Sequence, residues 1–229
     1  MINPLYFIFK LKNPEIKLLE NNVSFYVKLS EKDKKKFEFR VARFIKNHDF
    51  IGRENIIITP AIKVITSSIA IMLTFKMYNY LFLHFENIII YPKDYLSLST
   101  NKFHKGETNP MAKSIVFSWK GLVDGIKIED DNLNLGIHEF THALFFNFLK
   151  KKSFEGNRFI RYHKRILIFL KDKKEQKRVV DTNYFREYAF ENQHEFLAVI
   201  TENYFETPNE FKNKLPELFK LLNKMYKIY

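Results

Sequence analysis

The run Gly136-Ile137-His138-Glu139-Phe140-Thr141-His142 constrains this chain more than any other stretch. Residues four apart lie nearly above one another on an α-helix, so His138 and His142 project from one face. Two imidazoles held this way can bind one Zn²⁺ at about 2.0–2.1 Å each. Glu139 falls about 100° further round, beside such an ion rather than on it, where it can take a proton from a zinc-activated water. The flanks agree with a helix. Leu133, Ile137, Phe140, Leu144 and Phe148 form an apolar stripe of helical period. Asp130, Asp131 and Asn132 offer caps at its start, and Lys150 to Lys152 suit the negative end of its dipole. The plainer reading, two histidines merely satisfied in a core, fits lone histidines better than a complete motif.

The chain has no cysteine, so no disulfide framework or thiolate site is available and any zinc must use histidine and carboxylate. That suits a reducing interior without requiring one. Length 229, with 46% hydrophobic and 28% charged residues, suits one ordinary globular domain spanning 1–229. A net charge of +12 raises the question of a nucleic-acid surface. The lysines, however, are spread along the chain, and Asp33, Asp172 and Glu175 interrupt the two dense runs, which therefore read as solvated faces. Leu5 to Phe9 is too short for a secretory signal core. The apolar stretch Val64 to Phe75 falls short of the roughly 20 residues that span a bilayer.

In chain order, residues 1–30 remain unassigned except for weak alternation over Val23 to Leu29, the pattern of a short strand. Glu31 to His48 reads as an amphipathic helix. Ile56 to Ile58 reads as a brief strand, and a buried helix follows from Thr59-Pro60 to about Phe75. Phe85 to Tyr91 and Ser114 to Trp119 are the clear strands, the second expected at a sheet edge where an extended peptide could lie. Ser99 to Ala112 is polar and reads as a surface loop, and Gly121 and Gly125 are expected to break the chain before the motif helix. Lys151 to Tyr184 predicts one basic helix with mobile ends. A helix from Asn192 to Phe205 and a helical tail to Tyr226 complete the chain.

Two histidines need at least one further protein ligand. Phe145 and Phe148 stand where a metzincin would have its glycine and third histidine, which excludes that class. His163, His194 and several glutamates, most of them in Arg186 to Val199, remain as candidates. Four stretches then carry a likeness: Ile89-Ile90-Tyr91-Pro92 with Tyr95; Ser118-Trp119 with Gly125; His138 to Leu144; and Tyr188 through Glu195 to Phe205 and Pro208. In their order and spacing the chain resembles the Mlc titration factor A family of zinc peptidases, itself similar to the catalytic domain of lethal-factor peptidases. The likeness covers most of 37–226.

That resemblance implies an α+β zincin-like domain with a small sheet packed on the motif helix, and zinc held by His138, His142 and Glu195. It implies that Tyr188 points into the site, where a phenol can stabilise an oxyanion or protonate a leaving amine. It implies a cytoplasmic enzyme acting on peptides or proteins, with aminopeptidase activity as one form. Glu195 also sits at the third position after Asn192, where it can complete a helix cap. Glu191 and Glu202 read as surface groups or as supports of the ligands, and His194 as a solvent neighbour. One departure is visible: Phe145 replaces an aspartate usual in the family, which puts support of the ligands in question. The alternative function is a regulatory module that sequesters a protein partner, with zinc structural or activity vestigial. The intact Glu139 argues against it, since a structural ion needs no base.

Overall fold

Strand formation follows the β-branched runs. In a computed structural model describing residues 9–97 and 100–229, β1 (Asp49–Gly52), β2 (Asn87–Tyr91) and β6 (Ser114–Ser118) run parallel. A fourth strand, β5 (Gly106–Asn109), closes the order β1-β2-β6-β5 by pairing antiparallel to β6. Ile88 faces Ile115 and Ile90 faces Phe117, all four fully buried. A separate two-stranded ribbon joins β3 (Tyr95–Leu96) to β4 (Phe103–His104).

Three expectations are corrected here. Ser114 to Ser118 is an interior strand, buried at every position, because β5 covers the edge expected to be open. The polar stretch taken for a loop supplies that cover, and an edge strand of Gly-Glu-Thr-Asn is one that local propensity cannot reveal. The first strand is 49–52 rather than 56–58. Glu54 and Asn55 take positive φ, and that turn carries the chain off the sheet before Ile56.

Helices occupy the rest. The first, α1 (Asn13–Asn22) and α2 (Ser24–Val27), replace the strand expected over 23–29. No strand pairs there; Phe25 packs edge-on to Phe75, and Tyr26 lies against Phe37 and donates to Glu38 Oε1 at 2.7 Å. As read from the sequence, α3 (Glu31–Asn47) and α4 (Pro60–Leu73) are helical, capped by Ser30 and Thr59. Trp119 leaves the strand to open α5 (Trp119–Lys127), whose cap, Ser118, accepts from the Gly121 amide. Gly121 and Gly125 lie inside this helix. Their role is close approach: a Cβ on Gly121 would sit 2.7 Å from Leu135 Cδ2, and one on Gly125 3.0 Å from Asn134 Cα.

The motif helix is α6 (Leu135–Lys150), followed by α7 (Phe154–Lys171) and α8 (Lys173–Asp181). The single basic helix expected over 151–184 is thus two, because Asp172 ends one and caps the next by accepting from the Lys174 amide at 2.8 Å. After α9 (Gln193–Glu206) come α10 (Pro208–Lys214) and α11 (Pro216–Tyr226), divided where Pro216 begins a new first turn.

One continuous core makes this a mixed α+β single domain. Its centre is α6, which packs on β5, β6, α4, α5, α7 and α9. Phe140 lies 5.1 Å from Phe117, 5.3 Å from Phe82 and 6.0 Å from Phe44, ring centre to ring centre. Fully burying such a ring is worth about 1.5–3 kcal/mol. It fixes the rotation of α6 and with it the direction of the histidines. No helix among the described residues is long and apolar enough to cross a membrane.

Candidate metal centre

Placement begins with two asparagine caps. Asn134 Oδ1 accepts from the Ile137 amide at 3.0 Å and starts α6 later than the aspartates expected to cap it, which leaves Leu133 outside the helix and 55% exposed. Asn192 Oδ1 accepts from the amides of His194 and Glu195 at 2.9 and 3.1 Å and starts α9. Both helices are buried on nearly every side and pack against each other. Their contact brings His138, His142 and Glu195 together, with one ligand atom from each inside a span of 4.8 Å.

The donor atoms converge. His138 Nε2 and His142 Nε2 stand 3.1 Å apart, and Glu195 Oε2 is 2.9 and 3.4 Å from them. Glu195 Oε2 is nonetheless buried without a well-formed hydrogen bond. Two ring nitrogens and a carboxylate oxygen brought this close together form a donor set that could hold one metal ion. Burial alone would push the His138 imidazole down, but the Glu195 and Glu202 carboxylates facing its two nitrogens lift it to about 10. Burial would raise the Glu195 carboxyl, and the same imidazoles hold it well below the usual range.

Behind these three side chains stands another set of contacts. Glu202, 1% exposed, accepts from His138 Nδ1 at 2.8 Å through Oε1. Arg186 closes on the same carboxylate from two sides, at 2.7 Å to Oε1 and 3.0 Å to Oε2, and also donates to the Asn132 carbonyl at 2.6 Å. The Asn134 amide donates to Glu202 Oε2 at 2.9 Å. This arrangement fixes the ring of His138 with Nε2 turned to the cluster. Support comes from α9, not from the residue after Leu144: Phe145 is buried and packs edge-on to His163 and His194.

Glu139 is buried and held from β5, whose Thr108 hydroxyl lies within hydrogen-bond distance of its Oε2 (2.9 Å) and its carbonyl (3.0 Å). Gly106 makes this approach possible, since a Cβ there would meet Glu139 Cγ at 2.7 Å. Tyr188 lies in a 3-10 turn, Glu187–Phe190, 42% exposed, its ring 5.9 Å from that of His138. Burial and the neighbouring Glu195 charge raise its phenol, so it stays protonated and can donate. The other candidates go elsewhere. His194 stacks on Phe146, and His163 is buried beside Phe145 and pushed down to about 4 by desolvation. Glu191 is exposed.

Arg186, Asn134 and Thr108 were missed by the sequence reading. Glu202 carried a usable signal, lying seven residues after Glu195 and so two turns along the same face of α9. Thr108 carried none, because only the pairing of β5 with β6 brings it to Glu139.

Fold and site together define a protein able to hold one ion on two imidazoles and a carboxylate, with a further carboxylate alongside. A model of the family described as glucose-regulated metallo-peptidase M90 matches residues 9–227. The chain belongs to that family, the Mlc titration factor A family of metallopeptidases. It is also 22% identical over 228 residues to "Uncharacterized protein slr2042" of Synechocystis sp. (strain ATCC 27184 / PCC 6803 / Kazusa), covering 91% of this chain and 82% of the relative.

Proposed function

We propose that this protein is a zinc-dependent peptidase in which His138, His142 and Glu195 hold the ion and Glu139 is the general base. The observation that carries the reading is the convergence of His138 Nε2, His142 Nε2 and Glu195 Oε2 beside a positioned Glu139. Two nitrogens and one oxygen suit zinc among the common ions. When bound, zinc supplies Lewis acidity, making a water nucleophilic near neutral pH and polarising a carbonyl.

The chain's own groups do the rest. Glu202 keeps Nδ1–H on His138, so that Nε2 is the nitrogen that would give up its proton and offer a lone pair when the ion binds. Glu139 takes the proton of the attacking water and passes it to the departing amine. Tyr188, protonated and beside Glu195, donates to the oxyanion as it forms. An extended peptide adds to β5, the strand at the sheet's edge, which places its backbone next to Glu139. A buried motif helix with a sheet edge alongside is the layout a zincin requires. Gly106 and Thr108 both serve the position of Glu139, and a vestigial site, kept only to sequester a partner, has no need of them. The resemblance favours the cytoplasm as the compartment and aminopeptidase activity as the first form to assay.

The test is a paired measurement of zinc content and peptide hydrolysis on three variants. Glu139→Gln keeps about one zinc per chain and loses at least about 10²-fold in hydrolysis. Glu195→Ala loses both, while His194→Ala keeps both. Undiminished hydrolysis in Glu139→Gln, or zinc lost from His194→Ala and retained by Glu195→Ala, overturns the assignment.

A further inference from the structure

Three cations recur on one face of α3 at helical spacing: Lys36, Arg40 and Arg43, each four or three residues from the next. They line a cavity of about 620 Å³ between α3, the segment 78–83 that follows α4, and the junction of α6 with α7. None of His138, His142 and Glu195 borders it. Lys151 and Lys152 join from the α6–α7 junction, so five cations line the cavity, and no aspartate or glutamate is among its described lining residues. Phe39, Leu81, Leu83 and Phe148 supply an apolar wall.

Cations gathered this way repel one another unless an anion answers them. Among the described residues Lys36, Arg43, Lys151 and Lys152 form no ion pair. Burial first, and then the Arg40 charge, hold the Lys36 ammonium below its ordinary range. Arg40 and Arg43 are already positioned. The first, 8% exposed, donates from Nη1 to the Phe75 carbonyl at 2.9 Å and lies 4.1 Å over the Tyr80 ring; the second donates to the Tyr80 hydroxyl at 3.2 Å.

One neutral donor adds to them. Asn147, 3% exposed, accepts from the His84 amide through Oδ1 at 3.0 Å. Its Nδ2 has no acceptor among the described residues and is not sealed from solvent, so this donor opens on the cavity that Asn147 lines. The adjoining carboxylate, Glu155, is engaged by two lining residues, at 2.8 Å from Asn79 Nδ2 and 3.3 Å from the Tyr78 amide. The negative end of α6 and the positive start of α7 meet at 151–153 and offset each other, which leaves the side chains to set the field.

We propose that this cavity binds a small organic phosphate, a phosphate monoester on an aromatic or apolar body. Lys36, Arg43 and Asn147 Nδ2 donate to the phosphate, Arg40 deepens the positive field, and the body lies against Leu81, Leu83 and Phe148. A dianion answers five cations better than the single charge of a carboxylate, and the volume falls within the range of small-ligand sites. A bound phosphate ties α3 to the end of α6, the helix that carries His138 and His142.

Calorimetric titration of the full chain with phenyl phosphate, against phenol, benzoate and inorganic phosphate, tests the site. Phenyl phosphate binds at one equivalent, at least about 10-fold more tightly than any of the three, as charge-assisted bonds and a seated ring together provide. A chelator that strips any metal leaves that affinity unchanged, which separates this cavity from the proposed metal centre. Arg43→Gln weakens binding at least about 10-fold, while Lys177→Gln, the same change of charge on α8 outside the cavity, leaves it unaltered. Asn147→Asp keeps the acceptor for His84 and sets a negative charge where the donor was, so it too loses phenyl phosphate. Absence of saturable binding, benzoate bound as tightly, or affinity lost on chelation overturns the proposal. So does unaltered affinity in Arg43→Gln or Asn147→Asp, or an equal loss in Lys177→Gln, which marks diffuse attraction to a basic protein. Binding to vesicles containing phosphatidic acid with none to phenyl phosphate assigns the cations to a membrane surface and overturns it as well.

Discussion

Each of the residues around His138 carries a different share of the work. Glu202 never reaches the ion in the proposed arrangement, yet it decides which nitrogen of His138 is free. Glu202→Gln keeps the shape, withdraws the charge and leaves Arg186 without its partner. Zinc affinity should fall about 10- to 100-fold in competition with a chromophoric chelator; an unchanged affinity would reduce Glu202 to a packing residue. Tyr188 is tested by its hydroxyl alone. Tyr188→Phe should lower kcat by about 10- to 10³-fold with KM and thermal stability little changed, whereas a drop in stability with normal turnover would make the ring structural. Legibility differs just as sharply. His138, Glu139 and His142 follow from spacing on a helix. Glu195 could not be chosen over His194 by residue chemistry, since imidazole is the commoner ligand and the two point about 100° apart. The likeness to a family indicated Glu195, and His194 is stacked on Phe146. Arg186 was unreadable because its contacts lie 16 residues ahead at Glu202 and 54 behind at Asn132.

Among the elements, the helices with a strong apolar stripe and a cap were readable and the strands were partly so. What misled was local composition standing in for tertiary contact. Gly121 and Gly125 resemble chain breakers until Leu135 and Asn134 are seen against them. The polar β5 resembles a loop until β6 supplies its hydrogen bonds. That strand also yields a prediction. Gly106→Ala places a methyl 2.7 Å from Glu139 Cγ and 2.9 Å from Oε1, too close for either to stay. The Glu139 side chain can swing aside, so the fold survives at a cost of about 1 kcal/mol or less. The proposed base, however, loses its position, and misplacement of this kind costs up to about 10²-fold in rate. Normal zinc content with kcat reduced at least about 10-fold is expected; full activity would mean that β5 does not position Glu139.

For the whole molecule, an ion bound only by the native state adds to stability by mass action. Zinc at 100 times its dissociation constant contributes about 2.7 kcal/mol. A domain of this size should then melt about 5–10 °C higher with zinc than after chelation. The same comparison on Glu195→Ala should show little shift, and an equal shift there would place the ion elsewhere. The spacing of the proposed ligands has a further consequence in time. His138 and His142 share one turn of α6, so a nascent helix offers both within the microsecond in which helices form. Glu195 follows His142 by 195 − 142 = 53 residues, and the chain between them must first go out through α7 and α8 and come back as α9. Closing that excursion is the slow, entropically costly event. Capture of the ion is therefore split: two bonds available early in folding, and a third that forms only when the returning helix docks and so marks the moment at which the chain becomes competent.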